Sequence, residues 1–589
     1  MTDQQRRDSI AQWVFDTKTI LGRFSLWLED LEQRWVTGEP TLEHSFVGPS
    51  LEQAFITTSA VTALGTRLFG RYGEGKGQPK AVINTIKKDA DAQSAYALSE
   101  GLWFLTRNLP ENHAVMVSLG EGLMPKAGET PEMGSNPLLG FGRVYARPQV
   151  ARFLDRLVRK MLNEPGYSFE DFWQETRHAG ITVWGAAIDT LENTSRFASG
   201  AATGPMAVLH LFDQPIMVSR PYEAYMGNLT LPRKVVDTAA DRSILINFRT
   251  PRKLVLEAIK LAYPGIRPEE VHVWTLRGSS REARIGELWQ EWKGLGVHLV
   301  EDGWALPTGG EAFTSSGTYA PTYLVGEHPD GEGRTHLFIC DGYAASAEAL
   351  QAASLDPILG LRTALCIFSS KFAASYRREQ DIMCLTPSAA DFSARLGAIL
   401  GKELTSAEVD GYKAIVQNAR DAGMPLDRRN VTIDDFFPQK HWRVLAIASY
   451  MLSDPYTGAS GVAEVEPGIY RVTSRAATEK GILEVVLTLR LVKPIEEMRH
   501  VFSPLLDRFY AGQDYKNRPV KISDSGRIRN ELQTLASEAI HYGPDGRMSV
   551  AFDRIDDAVL APDKRELIRE VLRWYKQSHP IWFRWLVAD

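Results

Sequence analysis

Hydrophobic and polar positions change their period several times along the chain, and each change marks a different kind of element. In "IAQWVFDTKTILGRFSLWLEDLEQRW", Trp13, Ile20, Phe24, Trp27 and Leu31 recur at spacings of three, four and seven. That period places them on one helical stripe and predicts a helical region over roughly residues 9–108. Near residue 110 the texture changes. Ala114–Leu119 reads as a strand, and a long Gly/Pro-rich excursion follows it up to Pro148. Loops of that length inside compact proteins are uncommon and tend to be lids or interfaces. Helical spacing returns at Val150–Leu162, and strand-like runs follow at Met206–Phe212 and Pro215–Ser219.

The most regular alternation lies between 243 and 371. The apolar run "SILINF" reads as a strand. Thr250 and Pro251 then supply a cap and a first-turn proline for "RKLVLEAIKLAY", which Pro264 and Gly265 end. "VHVWTLRG" is the next strand. A helix follows in which Ile285, Leu288, Trp289 and Trp292 share a face, preceded by Ser279 and Glu282 in capping-box spacing. "VHLVEDG", a Gly/Ser/Thr-rich connection, "THLFICDG", the helix "AASAEALQAAS" and "TALCIFSS" complete the series. Strands alternating with helices predict a Rossmann-like α/β core, a central mostly parallel sheet with helices on its faces. Beyond 372 the pattern is mainly helical, with one hairpin from "GIYRVTSRA" and "ILEVVLTLRLV". The expected organisation is a helical N-terminal region (1–110), a mixed α/β region (111–242), the α/β core (243–372) and a helix-rich α+β C-terminal region (373–589).

Composition narrows the function classes without choosing one. A hydrophobic fraction of 44% and a charged fraction of 24% are ordinary for globular chains. The 67 basic and 73 acidic residues leave a formal charge of -6, the wrong sign for general phosphate-backbone binding, and no Lys/Arg run offsets it. No nucleic-acid partner is expected. No run approaches the roughly 20 apolar residues of a membrane span, and the first residues lack a signal-peptide core, so the expected compartment is the cytoplasm. Cys340, Cys366 and Cys384 each sit among apolar neighbours, which favours buried thiols over disulfides or zinc ligands.

Candidate chemistry follows from where parallel strands end, because ligands bind outside the carboxyl ends of such strands. Asp341 stands where "HLFIC" gives way to a helix, and two readings compete. A helix cap uses the same residue type as a reactive carboxylate. As a cap, Asp341 would tolerate Asn with little loss of stability. Glu301 and Asp302 end the neighbouring run before a loop, so capping does not explain them. Together with Asp341 they form the expected metal set, and Mg²⁺ is the cation such hard oxygen ligands would take. Lys371 is the accompanying catalytic cation. Arg277, Ser369 and Ser370 mark other strand ends, and Thr314, Ser315, Ser316, Gly317 and Thr318 form a small-residue segment suited to cradling an anion.

Several motif matches fail on context. "GRYGEGKG" has P-loop spacing, but Gly77 replaces the hydroxyl residue and a helical pattern precedes it. His178, His210 and Asp213 read as structural. The residues therefore point to an enzyme that binds an anionic, phosphorylated small metabolite at the strand rim and performs phosphoryl-transfer, isomerase or lyase chemistry. The rival reading is a non-catalytic scaffold or self-assembling protein. Trp574, Tyr575, Trp582, Phe583 and Trp585 crowd the C-terminal tail around Pro580, a composition typical of interface anchors and the basis for expecting a homo-oligomer. The glycine-rich segments 120–140 and 303–320 are expected to open locally.

Overall fold

The computed structural model describes residues 26–37, 49–106, 109–120, 139, 141–220, 224–309, 313, 317, 319–369, 374–427, 431–454, 456–491, 540–542 and 548–550. Two mixed sheets dominate. The larger contains β1 (Leu26–Thr37), β2 (His113–Gly120), β3 (Val144–Ala146), β4 (Thr182–Glu192), β5 (Met206–Phe212), β12 (Val444–Tyr450), β13 (Val462–Glu466), β14 (Ile469–Thr478) and β15 (Gly481–Leu491). Its order is β1-β15-β14-β12-β5-β4-β2-β3, with β13 beside β14. Only β2 and β4 run parallel; the remaining pairs are antiparallel.

The smaller sheet has β6 (Ala224–Pro232), β7 (Val271–Trp274), β8 (His298–Leu299), β9 (Gly326–Pro329), β10 (Thr335–Ala345) and β11 (Leu361–Ser369). Its order is β11-β6-β10-β7-β8, with β9 beside β10. Here β10, β7 and β8 are parallel, whereas β11, β6 and β9 enter antiparallel. The central mostly parallel sheet expected from strand–helix alternation is therefore replaced by two mixed sheets. Two deviations account for the difference. "SILINF" is a loop, with Ser243 at φ 59° and Leu245 exposed. The strand beside β10 is β6, whose "AYMGNLTLP" is broken to the eye by Gly227 and Asn228. Phe248 does enter the core, lying over Gly227 where a Cβ would come within 2.3 Å of its ring.

The helix expected across the N-terminal stripe differs in its described part, since residues 26–37 are β1. That strand pairs antiparallel with β15, and register shifts fall between Leu28 and Asp30 and between Trp35 and Thr37. A spacing of four fits a strand as well as a helix, because positions an even number apart share one face of a regular strand. The C-terminal hairpin forms as expected, from β14 and β15. The aromatic tail lies outside the described residues.

Alternation along β10 explains how the layers stack. Leu337 and Ile339 enter one core, Phe338 and Cys340 the other. The face carrying Leu337 and Ile339 packs under the helices Arg233–Asp241, Arg252–Ala262, Ser279–Gly294 and Tyr376–Met383. The opposite face meets the helix Ser346–Ala353, which also touches β2 and β4 of the larger sheet. All eight residues of that helix are buried, as a helix enclosed between two sheets requires. On the outer side of the larger sheet, the helices Pro49–Phe69 and Lys80–Thr106 pack against each other and against the strands.

Those two helices meet at Gly101, whose carbonyl accepts a hydrogen bond from Thr58 Oγ1 at 2.9 Å. A Cβ at Gly101 would lie 2.8 Å from Thr58 Cγ2 and 2.9 Å from its Cα. Gly101→Val is therefore expected to cost about 1–3 kcal/mol by overpacking the crossing. Chemical denaturation measures the change, and an unchanged midpoint would mean that the helices separate freely.

Among the described residues no helix is long and apolar enough to cross a membrane.

Candidate functional site

Asp341 is neither a helix cap nor a residue at a strand end. It occupies the middle of β10, opposite Leu229 of β6 and next to Cys340, which pairs with Trp274 of β7. Its side chain points into the core beneath the helices. There Arg252 Nε donates to Oδ2 at 2.6 Å, Arg252 Nη2 donates to Oδ1 at 2.9 Å, and Trp292 Nε1 donates to Oδ2 at 2.7 Å. Arg252 Nη1 is satisfied by the carbonyls of Phe248 and Thr250 at 2.8 and 2.6 Å. Both side chains of the ion pair are 0% exposed. Such a bidentate pair, with every charged atom hydrogen-bonded, is a structural joint between strand and helix.

Glu301 lies on the other side of the sheet. It follows β8, whose His298 is covered by Trp304, a ring packed against the core that holds Phe338 and Cys340, and its carboxylate meets His298 Nε2 at 3.2 Å. The three proposed metal ligands are thus not brought together: Asp341 is enclosed by Arg252 and Trp292, while Glu301 and the adjoining Asp302 sit outside that enclosure. Among the described residues no group of three or more His, Cys, Asp or Glu side chains is arranged to hold a metal ion. Arg277 donates through Nη2 to the carbonyl of Leu299, the last residue of β8, at 3.2 Å. Gly317, at φ 83°, lies against Glu192 and Asn193 at the end of β4 in the larger sheet, a place expected for neither cradle nor rim. Thr314, Ser315, Ser316, Thr318, Ser370 and Lys371 lie outside the described residues.

A different polar group occupies the carboxyl ends of β10 and β11. Arg284, on the helix after β7, donates through Nη1 to the Tyr343 hydroxyl and, at 3.1 Å, to the Ser369 carbonyl. Tyr343 stacks on Tyr225 with ring centroids 4.7 Å apart, which fixes the phenol against the guanidinium. Arg284 Nε is 3.8 Å from Glu379 Oε1, too far for a hydrogen bond. Glu379 is fully buried because the turn Tyr376–Met383 places Tyr376, Glu379, Gln380 and Met383 on the inward face. Among the described residues neither of its carboxylate oxygens has a partner in full hydrogen-bond geometry, and the same is true of Ser375 Oγ and both polar side-chain atoms of Gln380.

Burial pushes the Glu379 carboxyl up to about 9, and the nearby Arg284 charge and Ala374 amide offset only part of that effect. At neutral pH it is a protonated acid facing a cation. The distance supports the same reading, since an ionised pair this deeply buried would close to a hydrogen bond. Burial likewise raises the Tyr343 hydroxyl.

No protein-family model and no curated protein matches this chain.

Sequence reasoning passed over Glu379 because "YRREQD" reads as a solvated helical face. The available signal was its spacing of three from Tyr376 and four from Met383. It also passed over three histidines, His272, His298 and His336, which occupy the second position of "VHVW", "VHLV" and "THLF". A residue repeated at one position in three adjacent parallel strands forms a row across the sheet. His210, read as structural, is fully buried with Nδ1 2.6 Å from Ser354 Oγ, and burial pushes it down to about 3. Cys340 and Cys366 are buried thiols raised by desolvation, and Cys384 is half-buried, 3.2 Å from the Leu426 carbonyl.

Proposed function

We propose that the protein is an enzyme that binds a small anionic metabolite at the carboxyl ends of β10 and β11 and transfers a proton to or from it. The observation that carries this reading is Glu379: a buried carboxyl whose two oxygens have no hydrogen-bond partner among the described residues, beside the cation of Arg284. Buried polar atoms are nearly always hydrogen-bonded, and exceptions concentrate where a ligand completes the set. Glu379, Gln380 and Ser375 together leave five such atoms within little more than one helical turn. A polar ligand reaching this turn would satisfy them.

The roles follow from the chemistry of each group. Arg284 attracts a carboxylate or phosphate, and Tyr343 and the Ser369 carbonyl hold the guanidinium in place. Glu379, protonated at neutral pH, acts as the general acid, and once ionised it returns as the base. This pairing supports isomerase or lyase chemistry ahead of phosphoryl transfer, because one proton carrier and one anion clamp suffice for it.

Thermal-shift screening of small carboxylates and phosphates against the full chain tests the reading. A specific ligand at 100 times its Kd stabilises the native state by about 2.7 kcal/mol. Arg284→Met is expected to weaken that ligand at least about tenfold, and Glu379→Gln to retain binding while losing on the order of 100-fold in turnover. A chain that no anionic compound stabilises, or an Arg284→Met variant that binds as well as the native protein, would overturn the assignment and leave a scaffold role.

A further inference from the structure

The three histidines form one continuous line across the smaller sheet. Glu301 Oε2 is 3.2 Å from His298 Nε2, and His298 Nδ1 is 2.8 Å from His272 Nδ1. On the other side, His272 Nε2 is 2.8 Å from His336 Nδ1, and His336 Nε2 is 3.3 Å from Asp330 Oδ2. His272 uses both ring nitrogens on different neighbours, so the rings bridge one another and do not converge on a common point.

Counting protons shows what this line requires. A neutral imidazole carries one N–H, so three neutral rings bring three donors to four contacts. Whichever way the donors point, one of the four contacts is left without a proton: a nitrogen lone pair faces a carboxylate at an end, or two lone pairs face each other between rings. One added proton removes the conflict: four donors meet four acceptors, whether His336, His272 or His298 is the imidazolium. A second added proton forces two N–H groups to face each other at a ring–ring contact. The line is therefore matched to a single extra proton. That proton can pass from His336 to His298 by two transfers between ring nitrogens, with no heavy atom moving.

We propose that His298, His272 and His336 form a proton relay between Glu301 and Asp330 that holds one shared proton and releases its aromatic cover on taking a second. The cover is Trp304, whose ring lies 4.6 Å from His272 and 4.9 Å from His298. Phe313 holds Trp304 in turn, at 5.5 Å, and packs on Phe338 and on Tyr456 from the connection between β12 and β13. Two backbone hydrogen bonds, Gly303 N to Phe313 O and Phe313 N to Trp304 O, clip the segment closed.

The surrounding charges favour one proton and resist two. Asp330 stays ionised, its carboxyl held below the usual range by Arg334, by the Arg334 and Glu332 amides and by His336. At the other terminus burial, with the Arg277 guanidinium, pushes His298 down, and Glu301 opposes them. Burial and the neighbouring imidazoles, including His328 of β9, push His272 down to about 3, while Glu270 opposes them. Glu270 is itself tied to Arg267. Each end of the line meets a carboxylate, and a second added proton finds no acceptor in it.

Hydrogen exchange of residues 301–309 in the full chain, corrected for intrinsic rates, tests the device together with ¹⁵N shifts of labelled histidine. At pH 7.5 one imidazolium shared by the three rings is expected. Between pH 7.5 and 5 protection of the segment should fall at least about tenfold, the range of a local opening. His272→Gln should abolish that pH dependence, and His298→Gln, at the half-exposed end, provides the same test should the first variant fold poorly. Three neutral rings at pH 7.5, protection unchanged at pH 5, or an identical pH dependence in the folded variants would each overturn the relay.

Discussion

Asp341→Asn is expected to destabilise the protein by about 3–5 kcal/mol, the cost of leaving one partner of a buried ion pair uncompensated. The mechanism is specific to the partners. Arg252 Nε and Nη2 would face an amide that offers one acceptor oxygen and brings two unwanted donors. Trp292 Nε1 competes for the same acceptor. The pair joins β10 to the helix Arg252–Ala262, so its loss also loosens the packing around Trp292. Replacing both partners by apolar residues, as in Arg252→Met with Asp341→Leu, is expected to recover most of the loss, because no charge is then stranded. Urea unfolding of the two variants provides the comparison. A single variant within about 1 kcal/mol of the native protein would show that water or a rearranged partner reaches the site.

The second large effect is a dependence of stability on pH that Glu379→Gln removes. The Glu379 carboxyl is raised by burial from 4.5 to about 9. The folded state therefore keeps a proton that the unfolded chain releases above pH 4.5. Stability from this group is complete below that pH and declines as pH rises toward 9. At pH 7 the accumulated loss is on the order of 3 kcal/mol, taking 1.36 kcal/mol per unit as the conversion. Gln keeps the shape of the protonated acid without titrating, so the variant should match the native protein near pH 4.5 and exceed it increasingly up to pH 9. Asp356, buried and raised to about 7, gives both proteins a slope of the same sign, and the difference between their curves isolates Glu379. Should Gln instead destabilise the protein at pH 8, Glu379 would be ionised and paired with Arg284, and its role as an acid would fall.

The amino-acid sequence by itself determined the elements whose information is local. Apolar spacing, turn residues and caps place the helices Arg252–Ala262 and Ser279–Gly294, the strands β7 and β10, the β14–β15 hairpin and the burial of Cys340 and Cys366. Each of these depends on neighbours a few residues away, where side-chain period and turn geometry are decisive. Partner choice was decided only in three dimensions. β1 joins β15 across nearly the whole described chain, and β6 inserts antiparallel between β10 and β11; neither pairing leaves a mark in a local window. The meaning of Asp341 changed for the same reason. An aspartate before a glycine looks like a cap or a reactive group until Arg252, 89 residues away, is seen to fill its oxygens. Glu379 and the histidine row show the converse. Ordinary residue types become chemically distinctive because the fold withholds solvent and partners from one and sets the others within hydrogen-bonding distance of each other, since desolvation and contact are properties of the packed chain.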